Sequence, residues 1–348
     1  MNDSIVNQSE FNGNPLITFA LFAYNQEMFI REAIEGALSQ TYSPLEIILS
    51  DDCSTDKTFE IMVDMVSEYR GPHNIVLNKN ENNLGIASHV NKVISLAKGL
   101  LIIAAAGDDI SFPTRTSELT ELWLKNGRFS GIVYSQYEPI DNEGNSLNVD
   151  CLCKDFSDLT IEEFASRFNP GVVGATQAWT KDLFIKFGPL PHNLYCEDAV
   201  FTFRAKLYGE ILFLDRVLLK YRFHQSSLSN NCSLSYKNML LHHKRSIDVF
   251  NVFISDILND LVDHQISNST RESLLSVIYG KIKQAELEIK LSEGTLKERI
   301  FFAFEASKHK GVKKLLRNIF IALTPALYCL LYDNRHLLKT IKLFIYRL

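Results

Sequence analysis

From Leu16 to about Val133 the chain alternates short apolar runs with amphipathic stretches, and no other feature restricts its fold as strongly. The apolar runs are too short for buried helices and are typical of buried strands. They predict strands at 16–23, 45–50, 74–79, 100–106 and 131–136, with helices at 27–39, 56–69, 86–98 and 113–124 between them. Because apolar strands that alternate with helices form parallel sheets, the pattern predicts an α/β fold with a mostly parallel sheet and helices on both faces.

After about residue 150 this alternation ends. A mixed region contains the segment VVGATQAWT, a predicted helix at 197–208 and the apolar runs ILFL and VLLKYRF. From Tyr236 the pattern is wholly helical, with long amphipathic segments at 240–262 and 271–291. We therefore divide the chain into a polar N-terminal extension (1–14), an α/β domain (15–230), an all-helical extension (231–296) and a basic amphipathic tail (297–348).

The formal net charge of −5 hides a strong asymmetry. Residues 297–348 carry eleven Lys and Arg against three Asp and Glu, a formal +8, so residues 1–296 carry −13. Nucleic-acid-binding domains are usually strongly basic, so we expect no nucleic-acid partner. The polar N-terminus lacks the pattern of a signal peptide, and the six cysteines are scattered without metal-like spacing. These features predict a cytoplasmic protein with reduced thiols.

The basic tail has an amphipathic pattern. Its apolar residues recur at helical spacing, with Lys and Arg on the other faces, at Val312, Leu315, Leu316, Ile319 and Phe320. Helices of this kind lie on anionic membrane surfaces. The apolar run that follows, 319–332, is shorter than the ~20 residues needed to cross a bilayer. We predict peripheral contact with the inner face of the cytoplasmic membrane through residues 297–348; the alternative is a basic helix packed on the catalytic domain.

Two pairs of carboxylates follow predicted strands: Asp51-Asp52 after the second and Asp108-Asp109 after the fourth. The carboxyl ends of parallel strands meet at one edge of the sheet, where such folds bind ligands. Clustered carboxylates repel one another unless a cation or hydrogen-bond donors are present, and oxygen ligands of this type suit Mg²⁺ or Mn²⁺. The alternative is that these residues only cap helices and turns. The sequence has neither a dinucleotide-binding glycine fingerprint nor a P-loop.

The order of short motifs resembles that of family 2 glycosyltransferases. The motifs are A-Y-N (23–25), D-D-C-S-T-D-K-T (51–58), N-L-G (83–85) with Asn91, G-D-D-I (107–110), E-D (197–198) and Y-R-F-H (221–224). They cover residues 15–230 and are most similar to bacterial enzymes of O-antigen, capsule or exopolysaccharide assembly. The resemblance implies a GT-A (Rossmann-like) fold, a nucleotide-sugar donor, Mg²⁺ or Mn²⁺, a glycan or polyprenyl-lipid-linked acceptor, and usually inversion at the anomeric carbon.

The resemblance also implies roles for the residues at the strand ends. Ala23, Tyr24 and Asn25 would bind the nucleotide, with the Tyr24 ring packed on the base. Asp52 would read the base or the ribose, and Asp51 beside it is the more structural of the two.

In the second acidic pair the resemblance places Asp109 on the metal and Asp108 near the ribose and phosphates. Many family members have a further Asp two positions before the last, where this chain has Gly107. That departure leaves most of the metal binding to Asp109.

The Glu197-Asp198 pair opens a predicted helix and resembles the family's E-D motif, in which the Asp is the general base. Sugar transfer requires that an attacking hydroxyl lose its proton, and a carboxylate within hydrogen-bond reach can accept it. The alternative is that the two acids only favour the positive end of the helix. Arg222 is a candidate for contact with the diphosphate, and His224 for an additional metal ligand.

Three residues outside these motifs are weaker candidates. Trp179 lines the acceptor pocket or lies in the core, and both readings stay open, whereas His242-His243 fit a helix surface. Two other functions compete with sugar transfer. An inactive scaffold protein would lack the base or the metal Asp, and both are present. A nucleotidyltransferase would have a glycine-rich basic loop after the first strand, where this chain has Tyr24-Asn25-Gln26-Glu27.

Overall fold

The computed structural model describes residues 13–147, 153–167, 171–224, 236–259 and 266–300, except residues 294 and 296. Its strands are β1 (Ile17–Ala23), β2 (Leu45–Asp51), β3 (Asn74–Lys79), β4 (Leu101–Ala106), β5 (Ile110–Ser111), β6 (Gly131–Ile140), β7 (Gln177–Thr180) and β8 (Glu210–Arg222). Its helices are α1 (Ile30–Leu38), α2 (Thr58–Glu68), α3 (Ile86–Leu96), α4 (Arg115–Lys125), α5 (Ile161–Ala165), α6 (Lys181–Phe187), α7 (Glu197–Tyr208), α8 (Tyr236–Leu258) and α9 (Asn268–Glu293).

The described strands form one mixed sheet in the order β3-β2-β1-β4-β7-β6-β8-β5. The first four strands of that order are parallel, as predicted, and their register aligns their ends: Ala23 lies opposite Asp51, and Phe22 opposite Ala106. The loops that follow β1, β2 and β4 therefore meet at one edge of the sheet. This alignment brings the two predicted acidic pairs to the same side of the molecule.

The other half of the sheet is mixed. Strand β7 runs antiparallel to both β4 and β6, β8 runs parallel to β6, and β5 runs antiparallel to β8. The two apolar runs ILFL and VLLKYRF form the single long strand β8, whose pairing with β6 is irregular around Gln136. The predicted α/β fold with a mostly parallel sheet is confirmed, as is the helical C-terminal region, which contains α8 and α9.

Helices cover both faces of the parallel half, which explains why its inner strands are largely apolar. On one face Ile17, Phe19 and Leu21 of β1 are fully buried in a cluster that includes residues of α1, α2 and α4. On the other face the Phe22 ring meets the His89 ring of α3 edge-on, with the ring centroids 5.3 Å apart. Burying both faces of β1 contributes an apolar term of ~2 kcal/mol for each large side chain.

The described chain packs as two compact units. Residues up to Phe223, together with Asp256–Asn268, form the first, and His224–Ser255 with the residues from Ser269 onward form the second. The predicted boundary near residue 230 falls within 225–235, outside the described residues, and stays a prediction. Among the helices that the model describes, none is long and apolar enough to cross a membrane.

Candidate active site

The loops after β1 and β2 are tied together by hydrogen bonds. Asn25 has a left-handed backbone (φ 52°), which Asn tolerates better than most residues, and its Oδ1 accepts a bond from the backbone N–H of Thr55 at 2.8 Å. Its own N–H donates to Ser54 Oγ at 2.8 Å. Tyr24, which lies between this turn and Ala23, has 46% of its side chain exposed. The first two loops thus form one rigid edge that presents an aromatic ring to solvent.

Asp52 is buried and accepts three hydrogen bonds. Its Oδ1 accepts from Asn80 Nδ2 at 2.8 Å and from the Leu84 N–H at 2.9 Å, and its Oδ2 accepts from the Gly85 N–H at 3.0 Å. These bonds fix the loop between β3 and α3 against the end of β2. The neighbouring Asp51 accepts from the Ser54 N–H at 3.0 Å, as its predicted structural role requires. Contact of Asp52 with a nucleotide stays a prediction.

Asp109 ends the turn after β4, and one of its carboxylate oxygens has no partner. Oδ1 accepts a bond from the backbone N–H of Arg222 at 2.9 Å, whereas Oδ2 is buried and makes no hydrogen bond. Burial raises the pKa of Asp109 well above its usual range, and the charge of Asp108 adds to that increase. An unpartnered buried carboxylate oxygen is costly unless a proton or a cation satisfies it.

Mg²⁺ or Mn²⁺ fits this donor set. Both ions bind hard oxygen ligands and often take only one or two carboxylates from the protein, with substrate phosphates completing the coordination. Within the described residues no group of three or more His, Cys, Asp or Glu side chains is placed to hold a metal. Asp108 and Asp109 stay the predicted carboxylate ligands because they lie together in the turn that follows β4. His224 begins the second unit, and its role as a ligand stays a prediction.

Gly107 has no room for a side chain, which accounts for its departure from the family pattern. A Cβ at this position would lie 2.9 Å from the Cβ of Ala23 and would collide with Oε1 of Gln26. The Gly107 N–H also donates to the carbonyl of Phe22 at 2.8 Å, which holds the turn against β1. A carboxylate at this position would have to displace the loop that carries Tyr24.

Arg222 ends β8 and is fully buried beneath the same acidic turn. Its Nε donates to the carbonyl of Asp108 at 2.9 Å, and its Nη1 donates to the carbonyls of Asp141 and Asn142 at 3.0 and 2.7 Å. Its Nη2 donates to the carboxylate of Glu32. The bond to Asp108 holds the backbone of the acidic turn against the end of β8. The predicted contact between Arg222 and a diphosphate stays a prediction.

Glu197 and Asp198 open α7 beside Gly174. A Cβ on Gly174 would lie 3.2 Å from Glu197 Oε1 and 3.3 Å from Asp198 Cβ, so the small residue lets the two acids approach the backbone. Burial, with a further contribution from the charge of Asp198, raises the pKa of Glu197 to about 8. Asp198 Oδ1 accepts a hydrogen bond from the Ala199 N–H at 2.7 Å. At neutral pH Glu197 therefore keeps its proton beside Asp198.

A cleft of about 550 Å³ lies between α3 and the segment that leads into α7. One wall contains Asn83, Leu84 and Ser88, and the other contains Pro189 and His192. The backbone of the first wall is held by Asp52, and the second wall comes four residues before Cys196, the residue that precedes α7. One wall of the cleft is thus hydrogen-bonded to the predicted donor carboxylate, and the other precedes the predicted base in the chain.

Comparison with known proteins identifies the domain. Residues 18–180 match the family model described as glycosyl transferase family 2. Over these residues the chain is similar to family 2 glycosyltransferases. An uncharacterized glycosyltransferase of Rickettsia typhi is 28% identical to it over 222 residues, which cover 62% of this chain and 67% of the relative. The predicted enzyme class, a glycosyltransferase, is confirmed.

Solved structures of two other proteins share the fold of this glycosyltransferase. S. aureus TarS 1–349, in complex with UDP-GlcNAc, aligns with a TM-score of 0.58 at 16% identity, covering 94% of this chain and 91% of that one. The mannosyltransferase PcManGT of Pyrobaculum calidifontis, in complex with GDP-Man and Mn²⁺, aligns with a TM-score of 0.52 at 15% identity, covering 90% and 88%. These likenesses confirm the fold that the motif order implied.

Some residues of the glycosyltransferase site carried no recognisable sequence signal. Arg115, in the first turn of α4, is fully buried and donates through Nη2 to the carbonyls of Ala104 and Ala175, both at 2.6 Å. The sequence shows only that Arg115 lies near the predicted start of a helix.

Trp179 lies in the core and stacks on Phe201 with the ring centroids 4.6 Å apart, which supports its interpretation as a core residue and not as a residue of the acceptor pocket.

The raised pKa of Glu197 predicts a pH-dependent stability. Between the ordinary pKa of 4.5 and about 8, the folded chain keeps a proton that the unfolded chain releases, so stability falls as pH rises through that window. Glu197→Gln mimics the protonated carboxyl and removes this dependence. We expect the melting temperature of Glu197→Gln to rise relative to that of the wild type as the pH increases from 5 to 8.5 in steps of about one unit. Glu60→Gln, at an exposed acid in the first turn of α2, should show no such trend, and equal trends for both variants would contradict the assignment.

Proposed function

We propose that this glycosyltransferase transfers a sugar from a nucleoside diphosphate sugar to a hydroxyl of a glycan or of a polyprenyl-lipid-linked acceptor. The observation that carries the proposal is the buried, unpartnered Oδ2 of Asp109 at the strand edge that also carries Asp108. A cation can satisfy a buried carboxylate oxygen of this kind, and the phosphates of a nucleoside diphosphate sugar can complete the coordination of that cation. Further support comes from the neighbours TarS and PcManGT, which are in complex with UDP-GlcNAc and GDP-Man.

Asp108 and Asp109 are the residues that would hold Mg²⁺ or Mn²⁺. The complex of PcManGT with Mn²⁺ supports a divalent ion in this fold. When bound, the ion supplies Lewis-acid stabilisation of the charge that develops on the departing diphosphate. Arg222 orients the Asp109 carboxylate through its backbone N–H and holds the backbone of Asp108 through its Nε.

Asp198 acts in this proposal as the general base of a single, inverting displacement. It accepts the proton of the acceptor hydroxyl while that oxygen forms a bond to the anomeric carbon. The bond from this carbon to the diphosphate oxygen breaks, and its electron pair leaves with the nucleoside diphosphate. Because its raised pKa favours the protonated form, Glu197 adds little negative charge beside the base. The Tyr24 ring and the edge at Asp52 hold the nucleotide.

A donor screen by thermal shift tests the proposed substrate class. We expect one nucleotide sugar among UDP-, GDP-, CDP- and dTDP-linked donors to raise the melting temperature in the presence of Mn²⁺, and the effect to disappear with EDTA. A donor at one hundred times its Kd stabilises the folded state by about 2.7 kcal/mol. Asp109→Asn should lose the Mn²⁺-dependent part, whereas Asp158→Asn, at an exposed loop position, should keep it. Stabilisation by none of the donors would contradict the proposal.

The proposed contact with a membrane surface rests on residues 297–348, of which 301–348 lie outside the described residues. Its support is the amphipathic sequence pattern, which would place Lys310, Lys313, Lys314 and Arg317 on one face of a helix. We expect full-length protein to float with anionic vesicles and the variant with all four cations changed to Gln to float much less. Equal flotation of both proteins would contradict a role of these residues at a membrane.

A further inference from the structure

The segment 188–196 joins α6 to α7 and determines where the proposed base lies. It contains no helix or strand, yet Leu190 and Leu194 within it are buried. Its last residue, Cys196, directly precedes Glu197 and Asp198. A shift of this segment would therefore move the start of α7 and the two acids that begin it.

Asn91 of α3 holds this segment by a reciprocal pair of hydrogen bonds. Its Nδ2 donates to the carbonyl of Leu190 at 2.8 Å, and its Oδ1 accepts from the N–H of the same residue at 2.9 Å. An amide is the side chain that can donate and accept at once in this geometry. Ser88, one turn earlier on α3, adds a bond to Nδ1 of His192 at 3.0 Å.

The same helix is fixed to the other half of the site. Its N-cap residue, Gly85, donates its backbone N–H to the buried carboxylate of Asp52 at 3.0 Å. His89 bonds to Ser50 Oγ through Nε2 at 2.6 Å, at the end of β2. Helix α3 is thus bonded to Asp52 and to the end of β2 through Gly85 and His89, and to the segment that precedes the base through Ser88 and Asn91.

We infer that Asn91 is a positioning residue, which sets the place of the Glu197-Asp198 pair relative to the donor-binding edge at Asp52. The inference rests on the proposed function, because it concerns the same site. Asn91 contacts the backbone of Leu190 and would act on the reaction through that backbone. Without it, the N–H and the carbonyl of a buried residue lose their partners, and the segment has to find a new arrangement.

Hydrogen exchange tests the structural half of the inference without any substrate. We expect Asn91→Ala to speed exchange of the Leu190 amide and of the first turn of α7 by about tenfold or more, with little change in β1 or β2. Asn91→Asp keeps the shape and the bond from the Leu190 N–H but loses the bond to its carbonyl, so it should loosen the same amides less. Ser95→Ala, at an exposed α3 residue that bonds only within its helix, is the matched control. Unchanged exchange at 189–200 in Asn91→Ala would overturn the inference.

Kinetics separate positioning from general stabilisation. With the donor selected by the thermal-shift screen, we expect Asn91→Ala to lower kcat for nucleoside diphosphate release by roughly 10- to 100-fold while the donor KM stays within about twofold. The assay temperature is kept well below the melting temperature of each variant. An unchanged kcat despite faster exchange would overturn the positioning role. A wild-type chain that turns over no donor would instead contradict the proposed function, and the exchange result would still report on Asn91.

Discussion

Asp198→Asn is expected to lower the turnover of the true acceptor by two to four orders of magnitude, roughly the contribution of a general base. Each factor of ten corresponds to about 1.4 kcal/mol of transition-state stabilisation, so the expected loss is about 3–5 kcal/mol. The amide is isosteric and still accepts the bond from Ala199, so the start of α7 should keep its geometry. Donor-dependent thermal stabilisation should accordingly be unchanged.

The start of helix α6 offers a matched control. Asp182 is the second residue of α6, as Asp198 is the second residue of α7, and its carboxylate bonds only to Ser130 Oγ, at 3.1 Å. Asp182→Asn should therefore keep turnover within about twofold, because it removes a helix-end charge without touching the proposed base. Full turnover in Asp198→Asn, measured as nucleoside diphosphate release with acceptor, would contradict the base assignment.

Arg204→Met is expected to destabilise the first unit by about 3–5 kcal/mol, because it leaves the buried carboxylate of Asp256 without its partner. In the wild type Arg204 Nε and Nη2 donate to the two carboxylate oxygens at 2.9 and 3.2 Å, and Nη1 donates to the carbonyl of Gly188 at 3.0 Å. Both side chains are at most 4% exposed. Denaturant unfolding followed by tryptophan fluorescence reports on this unit, since both tryptophans, Trp123 and Trp179, belong to it.

Two comparisons give this prediction its controls. The pair Lys125–Glu121 has a similar separation of 2.7 Å but side chains 69% and 63% exposed, so Lys125→Met should cost less than about 1 kcal/mol. Combining Arg204→Met with Asp256→Leu removes both charges and should recover much of the stability, as with other buried pairs replaced by apolar residues. Equal effects of Arg204→Met and Lys125→Met would show that burial does not govern the cost of losing the cation.

The parallel half of the fold was predictable because β1, β2 and β4 are buried on both faces and their sequences are therefore largely apolar. The predicted limits of β1 and β3 differ from the observed ones by at most one residue. Strand β5 could not be predicted, because Ile110–Ser111 is a two-residue strand that exists only through pairing with Lys220 and Leu219 of β8. Its partner lies more than one hundred residues later, and no local pattern encodes that contact.

The sequence predicted which residues belong to the candidate site, but it predicted few of the contacts that these residues make. The motif order led to Asp109 and Asp198, because carboxylates at strand ends and helix starts leave a visible pattern. The sequence could not indicate that Arg222 donates its hydrogen bonds to protein carbonyls and to Glu32, since those partners come from three separate segments. The role of Asn91 was hidden for the same reason: Leu190 is 99 residues away along the chain.

The bond between Arg222 and Asp109 spans 113 residues, and this separation has a consequence for synthesis of the chain. The parallel strands β1 to β4 and the acidic turn are translated first and can pack early, because domains begin to fold from the N-terminus as the chain emerges. Arg222 is translated much later, so the turn gains the contacts that hold its carboxylates only when β8 is complete. A nascent chain that still lacks β8 therefore carries the acidic residues without the geometry that orients them. Capacity to engage the donor is then acquired at the end of domain synthesis, together with the last strand of the sheet.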